Sequence, residues 1–166
     1  MSEHDSVNAL EFAEKSLEIH GRISALELGR VADYLSPEGG DLQYELKGNR
    51  DAQGVASLTL QLHGWLGLVC HRCLGPLQFA LDTQARFVLV RTEAELPPVE
   101  EERDDVDYLV ADASLDVMAI IEDEVLLSLP MAPAHEQGQC VNDALAAQEQ
   151  KESPFKVLQG LKRAKE

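Results

Sequence analysis

The pattern of the chain changes at residues 67–76, which read GLVCHRCLGP and separate two segments of alternating apolar and polar side chains. On the N-terminal side, residues 57–66 alternate and place three leucines on one face. On the C-terminal side, residues 77–82 and 85–90 alternate in the same way. A period of two is typical of half-buried strands, and a Gly-Pro pair is a turn signal. We therefore predict a β-hairpin whose tip carries the Cys-x-x-Cys motif.

The strand pattern continues outward from this hairpin. Residues 42–47 alternate, and the turn-rich residues 48–54 separate them from the next strand. Residues 16–21 predict a further strand, and residues 108–110 predict a short added one. From residue 42 to residue 90, the sequence therefore predicts an antiparallel β meander.

Helical periodicity flanks the meander on both sides. Residues 23–35 place apolar side chains at helical spacing, and Ser24 with Glu27 matches a capping box. Residues 114–129 repeat the helical spacing, and Pro130 ends it. The predicted fold class is α+β: an antiparallel β meander with flanking helices and the Cys-x-x-Cys motif at a hairpin tip.

The distribution of charge suggests the domain boundaries. Residues 1–15 are polar and predict a flexible N-terminus, and residues 16–140 predict a single α+β domain. Within it, the acidic residues 93–107 predict a mobile loop, because such a charged segment cannot be buried. Residues 141–166 predict a weakly ordered linker followed by a short basic C-terminal segment.

The charge of the whole chain limits the partners that it can bind. The 166 residues carry a net charge of −16, which repels nucleic acid and anionic membranes at long range. Any contact with RNA must therefore use a local basic surface or a protein intermediary. The N-terminus does not resemble a signal peptide, and no apolar run approaches the roughly 18 residues that span a bilayer. We expect a cytoplasmic protein that makes no membrane contact.

Three cysteines and one histidine form a candidate metal site. Cys70 and Cys73 lie on the hairpin turn, and His135 and Cys140 follow the second predicted helix. Two cysteines at this spacing can direct both sulfurs at one point, which is half of a tetrahedral zinc site. A Cys3His set with all four positions filled would be structural, since a catalytic zinc needs an open position.

Two other interpretations of these cysteines stay open. Cys70 and Cys73 could form a thiol turn unrelated to His135 and Cys140, or a redox pair with a lowered thiol pKa. The redox motif belongs at a strand-to-helix junction, whereas this one lies between two predicted strands. The sequence contains no Gly-rich phosphate loop, Gly-x-Ser-x-Gly elbow or His-Glu-x-x-His motif, so we expect no enzyme.

The C-terminal segment is the strongest candidate for contact with RNA or a partner protein. It is short, amphipathic and basic, although its apolar face could equally dock on the domain. Together with the arginine of the hairpin turn, the candidate contact residues are Arg72, Phe155, Lys156, Lys162, Arg163 and Lys165.

The order of motifs resembles the YceD family, the bacterial large-ribosomal-RNA-subunit accumulation proteins. Residues 70–76 resemble the family's C-x-R-C-x-x-P, and residues 121–133 are similar to its E-D-E-hydrophobic-L-x-L-P-x-x-P block. His135 and Cys140 follow at the spacing of proteobacterial members, and residues 153–162 resemble the N-P-F-x-V-L-x-x-L-K tail with Ser in place of Asn. Some members carry further cysteines after the proline block, so a site here would need His135 as its fourth ligand.

The resemblance implies a cytosolic factor needed for accumulation of large-subunit ribosomal RNA, and it implies no catalytic activity. The main hypothesis is a non-catalytic ribosome-biogenesis factor for the large subunit and its 23S RNA, which binds the subunit precursor and no small-molecule substrate. One alternative is an acidic adaptor that binds a basic protein without touching RNA. The other is a thiol- or metal-dependent enzyme.

Overall fold

The alternating segments of the sequence form a five-stranded sheet. The computed structural model describes residues 6–101, 106–111, 114–136 and 139–140. Its strands and helices are, in chain order, β1 (Ser6–Val7), α1 (Ala9–Glu14), β2 (Glu18–Ser24), β3 (Gly40–Arg50), β4 (Ala56–Val69), β5 (Pro76–Val90), β6 (Asp107–Val110), β7 (Leu115–Asp116) and α2 (Val117–Ser128). The main sheet has the order β2-β3-β4-β5-β6, and its first four strands form an antiparallel meander. The α+β fold class is confirmed.

The hairpin of β4 and β5 places the cysteine motif at its tip. The register runs from the pair Ser57–Val88 to the pair Val69–Pro76. The six residues left between the strands, 70–75, contain both cysteines, which confirms the predicted position of the motif. The two predicted strands at 77–82 and 85–90 are one continuous strand.

The core lies on one face of β4. Its even-numbered leucines are at most 2% exposed: Leu58, Leu60, Leu62, Leu66 and Leu68. Phe12 of α1 and Ile121 and Val125 of α2 belong to the same buried cluster. Burying one such side chain stabilises the fold by roughly 1.5–3 kcal/mol, so this row of leucines contributes a large part of the hydrophobic stabilisation.

The N-terminus, where the sequence predicts flexibility over residues 1–15, contains β1 and α1 within residues 6–14. Ala9, Phe12 and Ala13 are buried with helical spacing, and the Asn8 side chain accepts a hydrogen bond from the backbone of Glu11. The charged residues Glu11 and Glu14 of the same helix are exposed, and they gave the segment its polar character in the sequence. Residues 1–5 lie outside the described part of the chain.

The prediction of one helix over residues 23–35 is wrong. This segment forms two 3-10 turns, at Ala25–Glu27 and Ala32–Tyr34. The Ser24 backbone donates to the Glu27 carboxylate at 3.2 Å, so the capping pair is present, but it opens a single turn. Leu28 has an extended backbone and Gly29 follows it, and both oppose a continuous helix. The apolar spacing serves to bury Leu28 and Val31.

The edge of the sheet differs from a pure meander. β6 follows the acidic segment and pairs with β5 in parallel, from Phe87–Asp107 to Val90–Val110. The acidic segment contains two 3-10 turns, Glu93–Glu95 and Val99–Glu101. Residues 102–105 lie outside the described part of the chain. A parallel pair needs a crossover, and this segment supplies it.

The second predicted helix is confirmed as α2. Asp116 caps it by accepting hydrogen bonds from the backbones of Met118 and Ala119, at 2.9 and 3.3 Å. The residues just before it form β7, which pairs with β1 in a small two-stranded sheet. Neither of the two described helices has the length and hydropathy needed to cross a bilayer.

The close packing of α1 on β3 predicts a sensitive position. A Cβ atom added at Gly48 would lie 2.4 Å from the carbonyl oxygen of Phe12, so the helix would have to shift. We expect Gly48→Ala to lower the free energy of unfolding by about 1–3 kcal/mol, measured by urea denaturation. The control is Gly29→Ala, where the nearest atom is 3.9 Å away. Equal stability of the two variants would contradict this packing.

Candidate metal centre

The tip of the β4–β5 hairpin is a tight turn held by its own backbone. The Cys70 amide donates to the Gly75 carbonyl at 2.9 Å, and the Leu74 amide donates to the Cys70 carbonyl at 2.8 Å. Leu74 has a φ of 59°, a left-handed conformation that is uncommon for a leucine. The turn therefore folds back on itself and holds both cysteine side chains close to the end of the sheet.

The loop that follows α2 is attached to this turn. Pro130 ends the helical segment, and the Pro133 carbonyl accepts a hydrogen bond of 2.8 Å from the His71 amide. The Arg72 guanidinium donates to the His135 carbonyl at 3.3 Å. These two bonds bring residues 133–135 beside a hairpin turn about 60 positions earlier in the chain.

The four predicted ligand residues meet at this point. The ligand atoms of Cys70, Cys73, His135 and Cys140 all lie within 4.8 Å of one another, close enough to hold a metal ion. Cys70 and Cys140 are 0% and 4% exposed, whereas Cys73 and His135 are partly exposed. The site is therefore a pocket of sulfur and nitrogen donors with one side toward solvent.

Hydrogen bonding determines which nitrogen of His135 faces the sulfurs. Its Nε2 lies 3.0 Å from the Pro76 carbonyl oxygen, which can only accept, so Nε2 carries the proton. In the neutral ring, Nδ1 then presents its lone pair, and it lies 3.5 Å from the Cys73 sulfur and 3.8 Å from that of Cys140. Metal-binding histidines commonly donate their other ring nitrogen to a carbonyl or carboxylate in this way.

The thiols differ in acidity because their surroundings differ. Burial alone would raise the pKa of Cys70, but hydrogen bonds from the backbones of Cys73, His135 and Arg72 lower that pKa to about 5. For Cys140, burial and hydrogen bonds with Cys73 and Cys70 raise the pKa to about 11. The cluster therefore stabilises a thiolate at Cys70, whereas a second negative charge at Cys140 is opposed.

The surroundings of the cysteine pair differ from those of a redox motif. Cys70 and Cys73 lie between two antiparallel strands, with a third thiol 3.9 Å from the Cys70 sulfur. A thioredoxin-like pair lies between a strand and a helix.

Of the residues predicted to contact RNA or a partner protein, Arg72 lies in the hairpin turn. The remaining five lie outside the described residues: Phe155, Lys156, Lys162, Arg163 and Lys165.

The acidic triplet of α2 connects the helix to its neighbours. The Glu122 carboxylate accepts from the Arg30 amide at 3.1 Å, and Asp123 pairs with the Arg30 guanidinium. Glu124 accepts a hydrogen bond of 2.9 Å from the Thr83 hydroxyl of β5. These contacts hold the segment before β3 and the sheet against α2.

The sequence also did not predict an apolar groove that lies beside the candidate metal centre. It has a volume of about 670 Å³, and its lining includes Tyr34, Leu68, His71, Leu126 and Met131. In the sequence, Leu126 directly follows Val125, which is buried in α2, and Met131 follows the proline that ends the helical segment. These two apolar residues were the available sequence signal for the groove.

Comparison with known proteins identifies relatives of the chain. A family model described as "Large ribosomal RNA subunit accumulation protein YceD" matches residues 58–162, which include all four candidate ligands. A protein of Haemophilus influenzae with the same description is 25% identical over an alignment of 168 residues, which covers 95% of this chain and 94% of that protein. No solved structure matches the chain.

The hydrogen bonds of two histidines predict opposite tautomers in one molecule. His135 should carry its proton on Nε2, whereas His63 should carry one on Nδ1, which lies 2.9 Å from the Asp82 carboxylate. Two-bond proton–nitrogen NMR correlations of the 15N-labelled protein distinguish the two forms. A proton on Nδ1 of His135 would contradict the proposed orientation of this ring.

Proposed function

The chain belongs to the YceD family, and from this membership we propose that it is a non-catalytic cytoplasmic factor needed for accumulation of large-subunit, 23S ribosomal RNA. The match over residues 58–162 carries the proposal, because it spans the cysteine turn, α2 and the C-terminal segment together. The family description names an accumulation role and no reaction. The relative in Haemophilus influenzae has the same description, and the alignment covers 94% of that protein.

We propose zinc as the metal of the four-residue site. A tetrahedral zinc with Zn–S near 2.3 Å and Zn–N near 2.05 Å has S···S edges of about 3.8 Å and S···N edges of about 3.6 Å. The observed separations are 3.9 Å between the Cys70 and Cys140 sulfurs, and 3.5 Å between Cys73 and the His135 nitrogen. A divalent cation would also offset the repulsion between neighbouring thiolates. Since the protein would fill all four positions, the ion would act structurally.

For the partner, we propose the precursor of the large ribosomal subunit. The acidic body suits a basic ribosomal protein better than bare RNA, since like charges repel over about 8 Å in physiological salt. The basic C-terminal segment and Arg72 are the proposed contacts for RNA or protein: Phe155, Lys156, Lys162, Arg163 and Lys165. The net charge of −16 also favours the second candidate function, an adaptor that binds a basic protein without RNA contact.

The zinc proposal predicts a defined metal content. We expect one zinc per chain by native mass spectrometry, and His135→Ala should weaken zinc affinity by about tenfold or more. The matched control is His63→Ala, since His63 pairs with Asp82 away from the site and its loss should leave the zinc in place. A wild-type protein that stays metal-free after zinc is added would refute the proposal.

The partner proposal predicts salt-dependent sedimentation with large-subunit precursors. Neutralising the basic tail should reduce co-sedimentation. The slope of log affinity against log salt should fall by about 1 for each phosphate that the tail no longer neutralises. The tail variant changes four residues to Gln: Lys156, Lys162, Arg163 and Lys165.

A control variant removes the same charge from the body. It changes four exposed cations that pair with carboxylates to Gln: Lys15, Arg22, Lys47 and Arg50. Such surface pairs contribute little to stability, so the fold should persist. Equal weakening of binding in both variants would show that total charge, rather than the tail, sets the affinity. Wild-type protein that never leaves the top of the gradient would refute the ribosomal partner.

A further inference from the structure

The apolar groove beside the metal centre is open and exposed. Tyr34 and Met131 contribute to its lining and are 61% and 100% exposed, whereas Leu68 is 2% exposed. Its volume of about 670 Å³ is in the range of sites that enclose several large side chains. Exposed apolar surface of this kind commonly marks a contact site.

Hydrogen bonds and ion pairs between described residues hold the walls of the groove. Arg30 binds Glu122 and Asp123, which fixes the segment carrying Tyr34 against α2. The bond from the His71 amide to the Pro133 carbonyl fixes the opposite wall to the hairpin turn. A preformed groove loses little conformational freedom when it is filled, so binding there costs less.

The C-terminal part of the chain starts at the edge of this groove. The Cys140 sulfur lies 3.9 Å from that of Cys70, and the two neighbours of Cys70, Val69 and His71, line the groove. Residues 141–152 form a connection of 12 residues to the apolar segment that begins at residue 153. Twelve residues reach at most about 40 Å when fully extended, so the groove lies within reach of the segment. Tethering makes the docking an intramolecular event, which raises the effective concentration of the segment at the groove.

The chemistry of residues 153–162 matches the groove. Phe155, Leu158 and Leu161 recur every three residues, a spacing that would place them on one side of a helix. The fourteen residues 153–166 contain four basic side chains and one acidic one, whereas the whole chain carries −16. The acidic Asp33 lies in the lining of the groove. Apolar fit and opposite charge therefore favour the same occupant.

We propose that residues 153–162 dock in this groove within the same chain, with Phe155 and Leu158 among the side chains that fill it. The inference goes beyond the ribosomal role and does not depend on it, and a partner that contacts Phe155 would displace the segment from the groove. It also assigns a place to a segment that would otherwise expose several large apolar side chains beside an exposed apolar groove.

Photo-crosslinking of the purified full-length protein tests the docking directly. Benzoylphenylalanine replaces Tyr34 in the groove, and a control protein carries it in place of Val55, which is 41% exposed in the turn at the other end of the hairpins. We expect crosslinks from position 34 to peptides within residues 153–162 and none from position 55. An equal mixture of unlabelled and 15N-labelled protein shows whether each crosslink lies within one chain.

Crosslinks from position 34 that miss residues 153–162, or that join only different copies, would overturn the proposal. A second pair of variants tests the apolar contact. Leu158→Asp should lower the crosslink yield at least about fivefold, whereas Gln159→Asp, with the same charge change one residue later, should leave it within about twofold. Equal yields in these two variants would also overturn it. The experiment contains no ribosomal particle, so its result is separate from the sedimentation test.

Discussion

The row of leucines on one face of β4 is the constraint on which the rest of the structure depends. Both helices pack against the core that these side chains form, and a slip of one residue in strand pairing would turn them to solvent. The register is thus set by burial, and it pairs Val69 with Pro76. This pair in turn decides where the hairpin ends and that Cys70 and Cys73 fall in its tip. The hydrophobic core therefore positions a site made of polar chemistry.

The candidate metal centre connects parts of the chain that the sheet leaves separate. Cys73 and His135 are 62 positions apart, and between them lie β5, the acidic crossover, β6 and α2. Two backbone carbonyls of the loop after α2 accept hydrogen bonds from the turn, and these bonds hold the loop beside the sulfurs. An ion at this position would close a long loop, which restricts the unfolded chain and so favours the folded one.

The sequence predicts those features that a local period or spacing encodes. Strand periodicity located the meander and the hairpin tip, and the Cys/His spacing named four residues that the structure brings together. It failed where the decisive partner is distant: α1 is short and is stabilised by burial of Phe12, and the parallel pairing of β6 depends on an acidic crossover. The prediction of a helix over residues 23–35 failed because 3-10 turns can bury apolar side chains at the same spacing. The groove was missed since its walls come from separate segments.

The hydrogen bond from His71 to Pro133 has a thermodynamic consequence. Both residues line the groove, and both lie within two positions of a candidate metal ligand, so the two sites share one wall. An ion that fixes the loop would thereby favour occupation of the groove. Linkage is reciprocal, so an occupant of the groove would raise the affinity for the ion by the same factor. A turn of six residues and a short loop would then act as a coupling element, and a partner that displaces the occupant would loosen the hold on the metal.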